Sequence, residues 1–356
     1  CTNSVSGPIF ASNFQVPYSL QYSIGVQREL PYNMILQVDY NYRKGLNEIQ
    51  VYDINQADSI AGPRLGAAFP VPVPYADSSG FSTYSGILAR LDRRFSNGLQ
   101  FTASYALSSF KGFNADALGL GGAPTDLNNL RADFGPAGLD RKNRFVFSAI
   151  YELPFFRNDS SFLKRNLFGN WTVSLISTMF SGLPQSVFLP NNVDLSASGT
   201  FATYLPGTSG GSIGRDIRTR DDLNALIRAY NQSRSSLQNT AACSFATANR
   251  CDLYDQELFA LAEIPAGIRI GGDSVNAQDV RLTKTINFNE KFRLQLIGEV
   301  FNLFNIANLV NVNDLVLPVA GTAPSDITTL RPTQRANGVF GVGGPRTFQF
   351  GARFAF

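Results

Sequence analysis

The feature that most limits what this chain can fold into is an alternation of apolar and polar residues with a period of two, sustained over long runs. Residues 18–28 show it first: Tyr18, Leu20, Tyr22, Ile24 and Val26 alternate with Ser19, Gln21, Ser23, Gly25 and Gln27. Successive side chains of a strand point to opposite faces, whereas a helix would mix the two sets around its circumference. Residues 34–43 repeat the scheme, with Met34, Leu36, Val38, Tyr40 and Tyr42 against Gln37, Asp39, Asn41 and Arg43. Both segments read as strands, joined by a tight turn at 30–33.

Seven further runs carry the same signal. Residues 82–95 set Ile87, Ala89, Leu91 and Phe95 against Arg90, Asp92 and Arg94. Residues 99–110 set Leu99, Phe101, Ala103, Tyr105 and Leu107 against Gln100, Thr102, Ser104 and Ser108. In 143–153, Phe145, Phe147, Ala149 and Tyr151 lie opposite a mixed face that includes Arg144 and Glu152. Residues 171–181 align Trp171, Val173, Leu175 and Met179; residues 278–287 set Val280, Leu282 and Ile286 against Arg281, Thr283 and Thr285. Residues 292–303 set Phe292, Leu294, Leu296 and Val300 against Arg293, Gln295 and Glu299. The last run, 346–356, alternates Phe348, Phe350, Ala352, Phe354 and Phe356 with Thr347, Gln349, Gly351 and Arg353.

These runs are roughly twice the 5–6 residues usual in soluble sheets. About 9–11 tilted residues cross a bilayer. A soluble sandwich would explain the alternation, but not the length. Nor would it explain Asp, Arg and Glu in mid-strand beside wholly apolar opposite faces. The reading is therefore all-β: an antiparallel transmembrane β-barrel with its apolar face to outer-membrane lipid. Asp39, Arg43, Arg90, Asp92, Arg94, Glu152, Arg293, Glu299 and Arg353 are then expected to face the lumen. Aromatics at strand ends (Tyr18, Tyr42, Trp171, Phe354, Phe356) suit interfacial girdles.

Composition narrows the function. With no histidine among 356 residues, Ser/His/Asp and Cys/His catalytic arrangements are excluded, and no metal cluster is visible. The chain is expected to be no enzyme and to need no cofactor. A net charge of +3, with no basic cluster, does not suggest nucleic acid. Gly119-Leu120-Gly121-Gly122 lacks the strand-then-helix context of a dinucleotide loop. Asp221 and Asp222 precede Leu223, Leu226, Ile227 and Tyr230, a helical spacing, and Thr219 is placed to cap that helix with Asp222. A short loop helix near 220–234 is predicted there.

The links alternate between short (30–33, 96–98, 288–291, with a medium one at 154–170) and long (45–81, 111–142, 182–277, 304–345). Short periplasmic turns and long extracellular loops are the habit of outer-membrane barrels. On that assignment the C-terminus is periplasmic and Cys1 lies outside the cell. Nine strands, or eleven if 182–277 hides a hairpin, is an odd number, and no export signal opens the chain. The expectation is that 1–356 is the C-terminal portion of a larger barrel. Cys1 would then be where a fragment begins rather than the lipid-bearing residue of a lipoprotein.

Several segments resemble one family. Asp140-Arg141-Lys142-Asn143-Arg144-Phe145-Val146-Phe147-Ser148, followed by Tyr151-Glu152-Leu153-Pro154-Phe155, is similar to a recurrent strand of Oar-like TonB-dependent transporter barrels, which often carry His where Asn143 stands. Phe168-Gly169-Asn170-Trp171 leading to Phe180-Ser181-Gly182-Leu183-Pro184 resembles the next strand. Glu299-Val300-Phe301-Asn302-Leu303-Phe304-Asn305 resembles the penultimate strand, and Gly344-Pro345-Arg346-Thr347-Phe348-Gln349-Phe350-Gly351 the last. The resemblance implies a 22-stranded barrel, of which this chain holds the C-terminal 9–11 strands. It also implies an N-terminal plug, absent from this sequence, and energy from the inner-membrane TonB complex. Gln349, Gly351, Phe354 and Phe356 resemble the outer-membrane signal read by the barrel assembly machinery.

Cys243 and Cys251 fall in the longest loop, and an oxidising exterior makes a disulfide the expectation, with two free thiols as the alternative. Three functions follow: energised transport of an unidentified bulky substrate; a surface adhesin or scaffold that uses the loops without transport; or an outer-membrane hydrolase, which the absence of histidine disfavours.

Overall fold

The computed structural model describes residues 7–55, 73–113, 130–190, 203–244, 258–268, 270, 274–288, 292–310, 315–323, 334–335 and 344–356. The strands are β1 (Ile9–Phe10), β2 (Tyr18–Leu30), β3 (Met34–Asp53), β4 (Pro74–Ser96), β5 (Leu99–Phe113), β6 (Phe134–Pro136), β7 (Asn143–Glu152), β8 (Trp171–Phe180) and β9 (Val187–Phe188). They continue with β10 (Val275–Asn287), β11 (Arg293–Phe301), β12 (Leu309–Val310), β13 (Leu315–Val316), β14 (Gln334–Arg335) and β15 (Thr347–Ala355). Two helices, α1 (Phe162–Leu167) and α2 (Arg220–Ser244), lie in the connections.

All nine alternating runs are strands of one sheet, ordered β15-β11-β10-β8-β7-β5-β4-β3-β2, with short β1 and β6 added on β4 and β5. Each of the nine pairs antiparallel with its neighbours in chain order. The two end strands, β2 and β15, do not pair with each other, so the sheet is open. Tight turns follow from the local sequence: Tyr32 and Asn33 take positive φ between β2 and β3, as do Asn97 and Gly98 between β4 and β5.

One expectation about the links is corrected. The segment 45–81 is paired for much of its length, because β3 runs on to Asp53 and β4 starts at Pro74. Register shifts at Leu46/Glu48 and Glu48/Gln50 break the period-two signal there. No long hairpin lies in 182–277 among the described residues; its one short strand, β9, pairs with β13.

Cross-strand partners share a face, so the register extends each strand's alternation across the whole sheet. One face runs through Tyr40, Ile87, Leu107, then Phe145 and Met179, and later Leu296 and Ala352. Tyr22, Ile24, Val26, Phe350 and Phe354 on this face are all well exposed. No buried core cluster covers it among the described residues. A soluble sheet would bury that face.

The buried core sits elsewhere, in the long connections. Val187, Leu205, Ile213, Leu223, Ile227 and Leu317 are its most enclosed members. Helix α2 supplies Leu223, Ile227 and Tyr230 at the predicted spacing and continues past 234 to Ser244. Thr219 and Asp222 form the expected reciprocal cap, with Thr219 N–H donating to Asp222 Oδ2 at 2.9 Å and Asp222 N–H to Thr219 Oγ1 at 3.2 Å. Two further asparagines on α2, seven residues apart, hold an extended segment against it. Asn224 bonds both the N–H and the carbonyl of Ile264 (2.8 and 3.0 Å), and Asn231 does the same for Leu261 (2.8 and 2.9 Å).

Candidate functional site

The polar face of the sheet is the concave one. Gln100 on β5 and Gln349 on β15 line the same hollow of about 590 Å³, although four strands lie between them. Strands spaced about 4.8 Å apart would hold these residues too far apart on a flat sheet, so the sheet curls around this face. Ser148, Ser174, Arg281 and Glu299 also line the hollow. A second hollow of about 530 Å³ lies nearer the long loops, between Gln21, Asn41, Arg43, Glu48, Ser82 and Tyr84.

The register puts the sequence-singled charges on this face. Asp39 stands opposite Gly25 and Leu88, Arg43 opposite Gln21 and Tyr84, Arg90 opposite Ser104, and Asp92 opposite Thr102. Arg94 lies just beyond the last β3–β4 register pair, Met34–Arg93, and its N–H bonds the Asn33 carbonyl at 3.0 Å. Glu152 faces Thr172, Glu299 faces Arg281 and Gln349, Arg353 faces Gln295, and Arg293 faces Ala355. Asp39 packs over Gly25: a Cβ there would come within 2.1 Å of Asp39 Oδ1, so a larger residue would have to displace that carboxylate.

The carboxylates on the face are committed. Asp92 accepts from Arg90 Nε (2.7 Å) and Thr102 Oγ1 (2.7 Å), and Glu152 accepts from Arg157 (2.6 Å). Arg281 donates to Glu299, Gln37 to Asp39 (2.8 Å), and the Asn302 N–H to Asp279 (2.8 Å). Arg281 and Asp279 were identifiable in the sequence by the parity of their strand.

At the long-loop end, Asp140 ties three pieces together. It is almost fully buried; its Oδ1 accepts the Phe110 N–H (2.8 Å) and its Oδ2 meets Arg215 Nε at 2.5 Å. Arg215 also donates to the carbonyls of Asp140 (2.6 Å), Gly182 (3.2 Å) and Gly214 (2.9 Å). Arg141 donates to the Ser181 carbonyl (2.7 Å), and its guanidinium lies 4.5 Å over the Phe180 ring. Burial, then the neighbouring Arg215 and Arg144 cations, hold the Arg141 pKa below its ordinary value. The motif singled out at 140–144 is thus a clasp between β5, β7, β8 and the loop core. The loop core packs closely against β6: Cβ atoms at Gly135 and Gly211 would each meet a backbone carbonyl at 2.2 Å.

At the opposite end the apolar face carries a cation that the sequence reading passed over. Lys284 falls on the apolar parity of β10, paired with Trp171 and Leu296. Its ammonium donates to the Gly169 carbonyl and sits 5.1 Å over the Trp171 ring. A break in an otherwise apolar row was the available signal. Gln349 and Gly351 lie on the concave face of β15, while Phe354 and Phe356 continue its apolar parity. Cys1 and Cys251 lie outside the described residues, as does the 119–122 loop; Cys243 is near the C-terminal end of α2.

The sequence matches the family profile described as "Outer membrane beta barrel domain" over residues 2–349. The chain belongs to that family. The exposed apolar face of this barrel domain is thereby the lipid-facing one, and the protein is one of the Gram-negative outer membrane. Several solved structures align with this barrel domain, among them two outer-membrane transporters. The outer membrane transporter YddB from Escherichia coli is 12% identical, with 89% of this chain and 33% of that chain covered and a TM-score of 0.41. The FrpB iron transporter from Neisseria meningitidis (F3-3 variant) is 11% identical, with 98% and 32% covered and a TM-score of 0.42. The barrel domain thus spans about a third of the length of these structures. No curated protein matches the sequence.

Proposed function

We propose that this barrel domain forms part of the wall of a TonB-dependent transporter for a bulky substrate. The concave face is its passage, and the loop core at the long-loop end is its extracellular capture surface. The observation that carries the reading is the two-faced sheet: one face apolar and exposed, the other concave, hydrogen-bonding and charged. In a bilayer a charged face is tolerated only against water or protein. The nine charged residues from Asp39 to Arg353 then line the lumen. The motifs at 140–155, 168–184, 299–305 and 344–351 support the transporter family in particular. Energy would come from the inner-membrane TonB complex through an N-terminal plug encoded upstream, and insertion from the barrel assembly machinery reading Gln349, Gly351, Phe354 and Phe356. On this reading the protein is no enzyme and carries no cofactor.

An adhesin or scaffold is the second reading, favoured by the loops' own buried core. The gene sequence upstream of this chain, followed by uptake in energised cells, separates the two. A plug with a TonB-contacting segment, and uptake abolished when the proton gradient is collapsed, are expected. An upstream region without a plug, or uptake indifferent to the gradient, would refute the transporter reading.

A further inference from the structure

Among the described residues, Arg43 and Arg144, at the long-loop rim of the concave face, have no carboxylate paired with them. In the β7–β8 ladder Arg144 stands directly opposite Phe180, so both project onto the concave face. The Arg141 guanidinium lies over that same Phe180 ring, and Arg215 reaches the carbonyl of Gly182 two residues on. Three guanidinium groups therefore gather around 180–182. Asp140 is the carboxylate that serves them, and both its oxygens are already taken, by Arg215 and by the Phe110 N–H. Phe110 also connects this cluster to the second hollow, whose wall includes Arg43. Glu48, the acid of that hollow, accepts from Ser82. Arg43 and Arg144 are exposed, and neither has a carboxylate within ion-pair distance among the described residues.

An exposed guanidinium in a concave wall is a donor fork that matches carboxylate and phosphate oxygens. A protein with no ligand to receive would gain by placing an acid opposite it. The sheet does so at Arg90–Asp92 and Arg281–Glu299. Arg293 and Arg353, near the opposite end, are also unpaired among the described residues, but at the rim Arg43 and Arg144 are unpaired and Arg141 and Arg215 gather beside Arg144. We infer that the loop-side rim of the concave face, from Arg43 to Arg144, is a binding site for a soluble, multiply charged anionic ligand bearing carboxylate or phosphate groups. The inference rests on the transporter reading only in making that ligand the cargo.

The test uses the full-length protein, purified from outer membranes in a neutral detergent, and three fluorescein-labelled probes of equal length: hexaglutamate, hexaserine and hexalysine. Anisotropy titrations should show hexaglutamate binding at least about tenfold more tightly than hexaserine, an advantage lost as salt is raised, with hexalysine weakest. Arg43→Gln and Arg144→Gln should each remove most of that preference while leaving hexaserine binding and heat-modifiability on electrophoresis unchanged. Inorganic pyrophosphate should compete with hexaglutamate if phosphate oxygens are accepted as well as carboxylates; failure to compete restricts the class to carboxylates. Equal affinity for the three probes, no measurable hexaglutamate binding, or a preference untouched in both variants would overturn the assignment. Charge-selective binding without energised uptake would refute the transporter reading alone.

Discussion

Replacing Arg215 with Met should detach the loop core from the sheet without disturbing the sheet itself. Arg215 is one-tenth exposed and its partner Asp140 less still, so the pair is buried. The substitution keeps a side chain of similar length but deletes four donated bonds, to Asp140 Oδ2 and to the carbonyls of Asp140, Gly182 and Gly214. It also leaves the Asp140 carboxylate buried with one remaining bond, from the Phe110 N–H. Removing one partner of a buried ion pair costs about 3–5 kcal/mol. At about 1.4 kcal/mol per decade, the opened population should rise between roughly a hundredfold and a few thousandfold. Amide hydrogen exchange in detergent reads that population directly. The N–H groups of Ile213 and Ile217, bonded to the carbonyls of Gln185 and Ser212, should exchange faster by that factor. Those inside the β4–β5 ladder should not. Adding Asp140→Asn to Arg215→Met removes the stranded charge but keeps an acceptor for Phe110, so part of the protection should return. Unchanged exchange at 213 and 217 in the single variant would show that the clasp does not hold the loop core.

Three further outcomes are expected. Hydrogen bonds from Thr219 and then Arg218 hold the Asp222 pKa below its ordinary value. The cap's contribution is therefore full above the unfolded pKa of about 3.9 and fades as the pH falls through the lower folded value. Exchange at the start of α2 should accelerate only in acid, and Asp222→Asn should abolish that pH dependence; acceleration near neutral pH would contradict the assignment. Cys243 and Cys251 should be linked in protein isolated from the envelope, which mass spectrometry of unreduced peptides decides; free thiols at both would count against it. Phe356 is 92% exposed and its ring contact is with Phe354, so Phe356→Ala should leave the folded sheet intact yet lower outer-membrane insertion. A wild-type amount of heat-modifiable barrel would argue against an assembly signal there.

The strands were readable in the sequence because a sheet between two solvents leaves each position only one chemistry. Tyr22 and Gln21 cannot exchange places without moving an aromatic into water and an amide into lipid. The cap at Thr219 and Asp222 was readable because it is local. The loop core was not, since its pieces at 187–189, 205–230, 258–264 and 315–317 meet only through the fold. The clasp was half visible: the run 140–144 stood out as a motif, but Arg215 lies 75 residues away from Asp140 and nothing in its own neighbourhood marks it. The continuation of β3 and β4 to Asp53 and from Pro74 was hidden by the two irregularities that shift the alternation.

Those irregularities have a consequence for how such a chain can change over generations. From Met34 to Leu46, β3 keeps a single register against β4, and the shifts begin only beyond that point, towards the long-loop end. A residue inserted within the regular stretch would transpose every later side chain of that strand between water and lipid. Beyond Leu46 the ladder already absorbs extra residues without propagating the error downward. Insertions and deletions should therefore accumulate past Leu46 and before Phe81, where the hairpin can lengthen or shorten freely, while the stretch below retains its residue count.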